Sequence, residues 1–133
     1  MRMGLASGVA LLAVTATGAA MAQALPQNLV YLDRDKDGAI TQAEWTSGKP
    51  GTFKKLDLDK DGVVTREEAA KVYAEMTPAD PAMAEKRTGW IMRADANGDG
   101  KVTLDELTAD SVAEFKKKDR NADGVIDGHD VQG

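Results

Sequence analysis

The sequence predicts an all-α protein of four helix–loop–helix repeats in one compact domain, and three observations predict it. A twelve-residue pattern of alternating oxygen side chains around a glycine recurs four times. The segments flanking these copies carry apolar residues at helical spacing. One segment, between the second and third copies, is long enough for two helices. The length of 133 residues suits a single small domain. With only 5% aromatic residues the core is modest, so part of the stability must come from something other than packing.

Residues 1–24, "MRMGLASGVALLAVTATGAAMAQA", are a different material from the rest. Arg2 supplies a positive charge, Leu5 to Val14 form an apolar run, and Ala22-Gln23-Ala24 is an A-x-A cleavage site. The expectation is a signal peptide at 1–24 and a mature domain at 25–133, periplasmic or secreted. The stretch is rich in Ala, Gly and Thr and lacks a basic stop-transfer flank, so no stable membrane insertion is expected after cleavage. Without cysteine, disulfides and thiolate metal sites are excluded, and a lone His129 leaves little for acid–base or nucleophilic catalysis.

The four copies are "DRDKDGAITQAE" (33–44), "DLDKDGVVTREE" (57–68), "DANGDGKVTLDE" (95–106) and "DRNADGVIDGHD" (119–130). Positions 1, 3 and 5 are Asp33, Asp35 and Asp37; Asp57, Asp59 and Asp61; Asp95, Asn97 and Asp99; and Asp119, Asn121 and Asp123. They converge only if the chain turns sharply, and glycine at position 6 supplies the turn. Position 7 offers a backbone carbonyl, so its side chain is free to vary as Ala39, Val63, Lys101 and Val125. Position 9 is Thr41, Thr65, Thr103 or Asp127, and position 12 closes the loop with Glu44, Glu68, Glu106 or Asp130. Position 8 is always a branched aliphatic, suited to a short strand-like contact between paired loops. Thr65 with Glu68, and Thr103 with Glu106, also read as capping boxes, so loop closure and helix start coincide.

Charge is distributed to match. The loops hold 17 of the 22 acidic residues and only six basic ones, whereas the rest of the mature chain is net positive. Alternating carboxylates repel one another, so the pattern implies a cation. A merely solvated acidic chain would spread its charge and would not repeat the glycine four times.

With these motifs the sequence resembles the EF-hand family over most of residues 29–130. The resemblance implies a helix–loop–helix fold binding Ca²⁺ through oxygen atoms, with up to four ions. Hand 4 departs from it, because Asp130 is one methylene shorter than glutamate. Its site is expected to hold Ca²⁺ weakly or to suit Mg²⁺ better.

Loop starts at 33, 57, 95 and 119 leave 26 residues between loops 2 and 3, enough for a helix out, a turn and a helix back. Ala69, Val72, Tyr73 and Met76 mark one helical face, and Met83, Trp90, Ile91 and Ala94 another. Asp80 is the expected cap and Pro81 the first helical residue between them. Met76, Met83 and Met92 read as packing residues, as does Trp45, and His129 as a surface residue. The outer linkers, "WTSGKPGTFKKL" and "LTADSVAEFKKK", have 12 residues each and span roughly 18 Å if helical. One helix serving as exit and entrance sets its two loops at opposite ends. Hands 2 and 3 are therefore expected to pair through Val64 and Val102, leaving hands 1 and 4 to pair through Ile40 and Ile126. Gly48-Lys49-Pro50-Gly51 interrupts the first linker and allows a bend.

The compact linkers, four hands and signal peptide also resemble lanmodulin, a periplasmic lanthanide-binding EF-hand type, down to an aromatic four residues before the next loop, here Phe53 and Phe115. The proline of that type at position 2 is absent, since Arg34, Leu58, Ala96 and Arg120 stand there. The expected function is an exported calcium-binding protein acting as buffer or sensor, not an enzyme. The alternatives are a lanthanide-binding protein and a protein-interaction module with structural calcium. Metal ions are the expected partners, with no nucleic acid; an unidentified protein partner belongs to the third reading.

Overall fold

The computed structural model describes residues 24–131, so the expected signal peptide falls, but for Ala24, outside the described residues. Among the described residues no helix is long and apolar enough to cross a membrane. The described chain is predominantly helical. Each loop contributes a two-residue strand: β1 (Ile40–Thr41), β2 (Val64–Thr65), β3 (Lys101–Val102) and β4 (Val125–Ile126). β1 runs antiparallel to β4 with Ile40 opposite Ile126, and β2 antiparallel to β3 with Val64 opposite Val102. These four side chains are fully buried. Burial of branched aliphatics of this size stabilises by about 1.5–3 kcal/mol each.

The helices are α1 (Gln42–Thr46), α2 (Lys49–Leu56), α3 (Arg66–Met76), α4 (Pro81–Met92) and α5 (Leu104–Lys118), preceded by a 3₁₀ turn at Val30–Leu32. The two outer linkers differ. The first breaks at Ser47 and Gly48, because Pro50 lacks an N–H and is tolerated only in the first turn of a new helix. The Ser47 hydroxyl donates to the Glu44 carbonyl at 2.6 Å and helps close α1. The second linker has no such residue and continues as α5, 15 residues and roughly 22 Å long.

Asp80 caps α4 by accepting from the Met83 amide at 2.9 Å, with Pro81 at the first helical position. α4 packs along α3. The stripe that α4 buries is Ala84 and Thr88, small enough for close approach, with the Thr88 hydroxyl donating to the Ala84 carbonyl at 2.9 Å. Trp90 and Met76, expected on packed faces, are instead 49% and 58% exposed. Met83 and Met92 are half-buried, the latter against the core.

Two hydrophobic clusters result. One joins Phe53, Leu56, Val64, Ala69, Ala94, Val102 and Leu107; the other joins Leu25, Ile40, Phe115 and Ile126, with Trp45 packed on it. α5 belongs to both, through Leu107 near its start and Phe115 near its end. The two strand pairs are thus tied together by one rigid rod.

Candidate metal centres

The same hydrogen-bond scheme recurs at each loop. In the first, Asp33 accepts from the amides of Asp37 (3.2 Å) and Gly38 (3.0 Å), Asp35 from Asp37 (3.1 Å), and Asp37 from Ala39 (2.9 Å). Glu44 reaches back: Oε1 accepts from the Arg34 amide at 2.9 Å, and Oε2 from the amide and hydroxyl of Thr41 at 2.8 and 2.9 Å. The closing carboxylate therefore staples the start of the loop to its end. Gly38, at φ +89°, makes the reversal that an L side chain would resist.

Loop 2 repeats this with Asp57 accepting from Asp61 and Gly62, Asp59 from Asp61, and Asp61 from Val63. Glu68 accepts from the Leu58 and Thr65 amides, both at 2.9 Å. In loop 3, Asp95 accepts from Gly98, Asp99 and Gly100, Asn97 from Asp99, and Asp99 from Lys101. Glu106 accepts from the Thr103 amide at 2.9 Å. In loop 4, Asp119 accepts from Asp123 and Gly124, Asn121 from Asp123, and Asp123 from Val125.

Asp130 performs the stapling in loop 4 despite its shorter side chain. It accepts from the Arg120 amide at 2.7 Å, Asn121 at 3.3 Å and Asp127 at 3.1 Å, and is 3% exposed. The chain reaches it through a turn at Gly128–Asp130 in place of the helical turn that carries glutamate in the other loops. His129, read as a surface residue, is half-exposed but engages Asp127 through its amide at 2.7 Å and its ring at 3.1 Å. Burial works to raise the Asp127 pKa, but the His129 ring and amide outweigh it and hold the carboxyl below its ordinary value.

Three triads of carboxylates come within 4.8 Å of one another: Asp33, Asp35 and Glu44; Asp57, Asp59 and Asp61; and Asp119, Asp123 and Asp130. Loop 3 forms no such triad among the described residues. The crowding leaves an electrostatic mark. At Asp35 the Asp37 amide pulls the pKa down, yet desolvation and the charges of Asp37 and Glu44 together raise it; Asp59 behaves likewise with Asp61 and Glu68. Glu44 is held low, first by the Thr41 amide and then by the Thr41 hydroxyl, so it stays ionised. A hard divalent cation relieves this repulsion, and an all-oxygen donor set fits Ca²⁺.

Threonine at position 9 does more than border the loop. Thr41, Thr65 and Thr103 each cap the following helix in a reciprocal box with the closing glutamate, which fixes that carboxylate before an ion arrives. The box at Thr41 and Glu44 has the same spacing as the other two. Position 4 was not singled out in the sequence, although Lys36, Lys60, Gly98 and Ala122 all take the left-handed conformation, at φ +62°, +61°, +75° and +58°. Gly98 was the one residue signal for it.

The EF hand family model matches residues 30–48, 50–70 and 87–109. These segments contain loops 1, 2 and 3 with parts of their flanking helices, and the three matches support an EF-hand calcium-binding family. No curated protein matches the chain.

Proposed function

We propose that the protein is an exported, non-enzymatic calcium-binding protein with four EF hands, paired 2 with 3 and 1 with 4, acting as a calcium buffer or sensor. The observation that carries this reading is the convergence of carboxylates in loops 1, 2 and 4, each oriented by backbone amides that leave further oxygen lone pairs for an ion. The fourth hand is supported by its repetition of the same loop scheme, and the pairing by the two antiparallel strand registers. Among the described residues the convergent carboxylates at ligand positions are accounted for by metal ligation, which supports a binding rather than a catalytic role.

Asp33, Asp35, Asp37, Thr41 and Glu44 would hold the first ion, with the Ala39 carbonyl. Asp57, Asp59, Asp61, Thr65 and Glu68, with the Val63 carbonyl, would hold the second. Asp95, Asn97, Asp99, Thr103 and Glu106, with the Lys101 carbonyl, would hold the third, and Asp119, Asn121, Asp123, Asp127 and Asp130, with the Val125 carbonyl, the fourth. Sites 1 and 2 carry four acidic side chains each and are the tightest, on the order of micromolar. Export is supported by the leader-like residues 1–24.

Calorimetric titration of the chelator-stripped protein with Ca²⁺, Mg²⁺ and La³⁺ tests the proposal. Four Ca²⁺ equivalents are expected, with one event lost in Glu44→Gln and one in Glu68→Gln. Unchanged stoichiometry in both variants contradicts the ligand assignment. A La³⁺ affinity many orders above that for Ca²⁺ would move the protein to the lanthanide-binding reading.

A further inference from the structure

Between the two hydrophobic clusters lies a cleft of about 650 Å³ that the metal loops do not use. Its size falls within the range of small-molecule sites. Trp45 on α1, Tyr73 on α3 and Trp90 on α4 line it, which places three of the six aromatic side chains of this aromatic-poor protein on one concavity. Trp90 remains 49% exposed although it is among the largest apolar residues in the chain. A surface this aromatic is costly to leave facing water.

The charge around the cleft runs against that of the protein as a whole. The chain has a formal net charge of −5, yet the cleft is lined by Lys49, Arg87, Arg93 and Lys118 against Asp110 and Glu114. Both acids are taken by Arg93, at 3.1 and 3.6 Å. Lys49 and Arg87 make no ion pair among the described residues. Lys118 holds its ammonium 5.9 Å from the Trp45 ring centre. Deeper in, Ser111 lines the cleft; it is 3% exposed, its carbonyl accepts from the Trp45 indole at 3.0 Å, and its hydroxyl has no hydrogen-bond partner. A buried hydroxyl without a partner is a cost that a polar atom of a ligand removes.

Aromatic walls, unpaired cations and an orphaned hydroxyl define a complementary occupant. We infer that the cleft binds a small planar aromatic anion, a carboxylate or sulfonate on a one- or two-ring system. The rings stack against Trp45 and Trp90, and the anionic group meets Lys49 and Arg87.

The cleft is also joined to the loops. Trp45 follows Glu44, Leu107 follows Glu106, and Lys118 precedes Asp119, so residues adjoining three of the four loops line it. Resting on the calcium-binding reading above, the inference extends to coupling: metal that fixes these loop ends fixes the cleft, and by reciprocity the anion strengthens metal binding.

The test is calorimetric titration of the calcium-loaded protein with 2-naphthoate, and with neutral 2-naphthamide as the matched control, followed by NMR of the two tryptophan indole N–H signals. Saturable one-to-one binding of naphthoate is expected, with both indole signals moving and the amide binding about tenfold more weakly for want of a charge-assisted contact. Arg87→Gln with Lys49→Gln should remove most of that preference, and Trp90→Ala should weaken both compounds about tenfold; Trp90 is exposed and Lys49 and Arg87 are half-buried, and circular dichroism checks that the fold is kept. Absence of saturable naphthoate binding up to millimolar concentration, equal binding of the amide, or indifference to all three substitutions overturns the inference. Binding of an acidic helical peptide without naphthoate binding overturns it as well. Repeating the titration in chelator separates the two readings: equal affinity with and without Ca²⁺ keeps the cleft and removes its link to the loops, whereas failure of calcium binding itself appears in the metal titration alone.

Discussion

Gly98→Ala isolates the cost of the left-handed residue at loop position 4. Gly98 sits at φ +75°, and a methyl group built on it meets nothing within 4 Å, so the substitution perturbs the backbone without a clash. A left-handed conformation costs an alanine about 1–2 kcal/mol. Restricting the unfolded chain returns about 0.4–1 kcal/mol. The net loss is about 1 kcal/mol, or about fivefold in affinity where the loop orders around its ion. The same loss lowers the melting temperature of the calcium-loaded protein by about 4–8 °C. Ala122→Gly reverses the experiment in loop 4, where alanine already occupies φ +58°, and should gain a similar amount. Calorimetric Ca²⁺ titration and thermal unfolding of both variants provide the assay. Unchanged site 3 affinity in Gly98→Ala together with unchanged site 4 affinity in Ala122→Gly would refute the reasoning, because position 4 would then carry no conformational cost.

Phe115→Ala should cost about 3–5 kcal/mol, because the ring is 3% exposed in the cluster holding Ile40 and Ile126. NMR should show the Gly38 and Gly124 amides disturbed more than those of Gly62 and Gly100, and uniform loss across all four would contradict the two-cluster description. Asp130→Glu should strengthen Ca²⁺ and weaken Mg²⁺ at site 4, read by competition titration, since the longer side chain presents both oxygens without loop contraction. In the metal-free protein Glu44 and Glu106 should titrate below the ordinary 4.5, held down first by the Thr41 and Thr103 amides. A depressed folded-state pKa means that the capping boxes contribute fully above that ordinary value and lose their contribution as pH falls through the folded one. Asp35 and Asp59 are raised, so acid relieves their repulsion in the opposite sense, and carboxyl NMR titration separates the two groups.

The loop pattern was legible because it rests on spacing. A glycine at position 6 and oxygens at 1, 3 and 5 leave little freedom, and the branched residue at position 8 falls where the chain must turn inward, as full burial of Ile40, Val64, Val102 and Ile126 shows. Asp80 and Pro81 were equally readable, since cap and first-turn proline are local chemistry. Helical periodicity on α4 was less informative. It favoured Met83, Trp90, Ile91 and Ala94; Ala94 is buried in the core and Ile91 packs on it, whereas close approach of α3 adds the small Ala84 and Thr88, and Trp90 turns to the cleft instead. Position 4 was hidden because lysine and alanine give no sign of a left-handed backbone that the surrounding hydrogen bonds impose. The cleft was not legible at all, being assembled from helices distant in sequence.

The amides of Gly38, Gly62, Gly100 and Gly124 report separately on whether each of the four loops closes around metal. Each donates to the position-1 aspartate of its own loop, at 3.0, 3.1, 2.8 and 2.9 Å. Nitrogen–proton NMR of the metal-free protein titrated with Ca²⁺ should therefore show these four glycine signals moving and saturating, with Gly124 last. Four glycine amides that stay in place while calcium is added to excess would contradict the account.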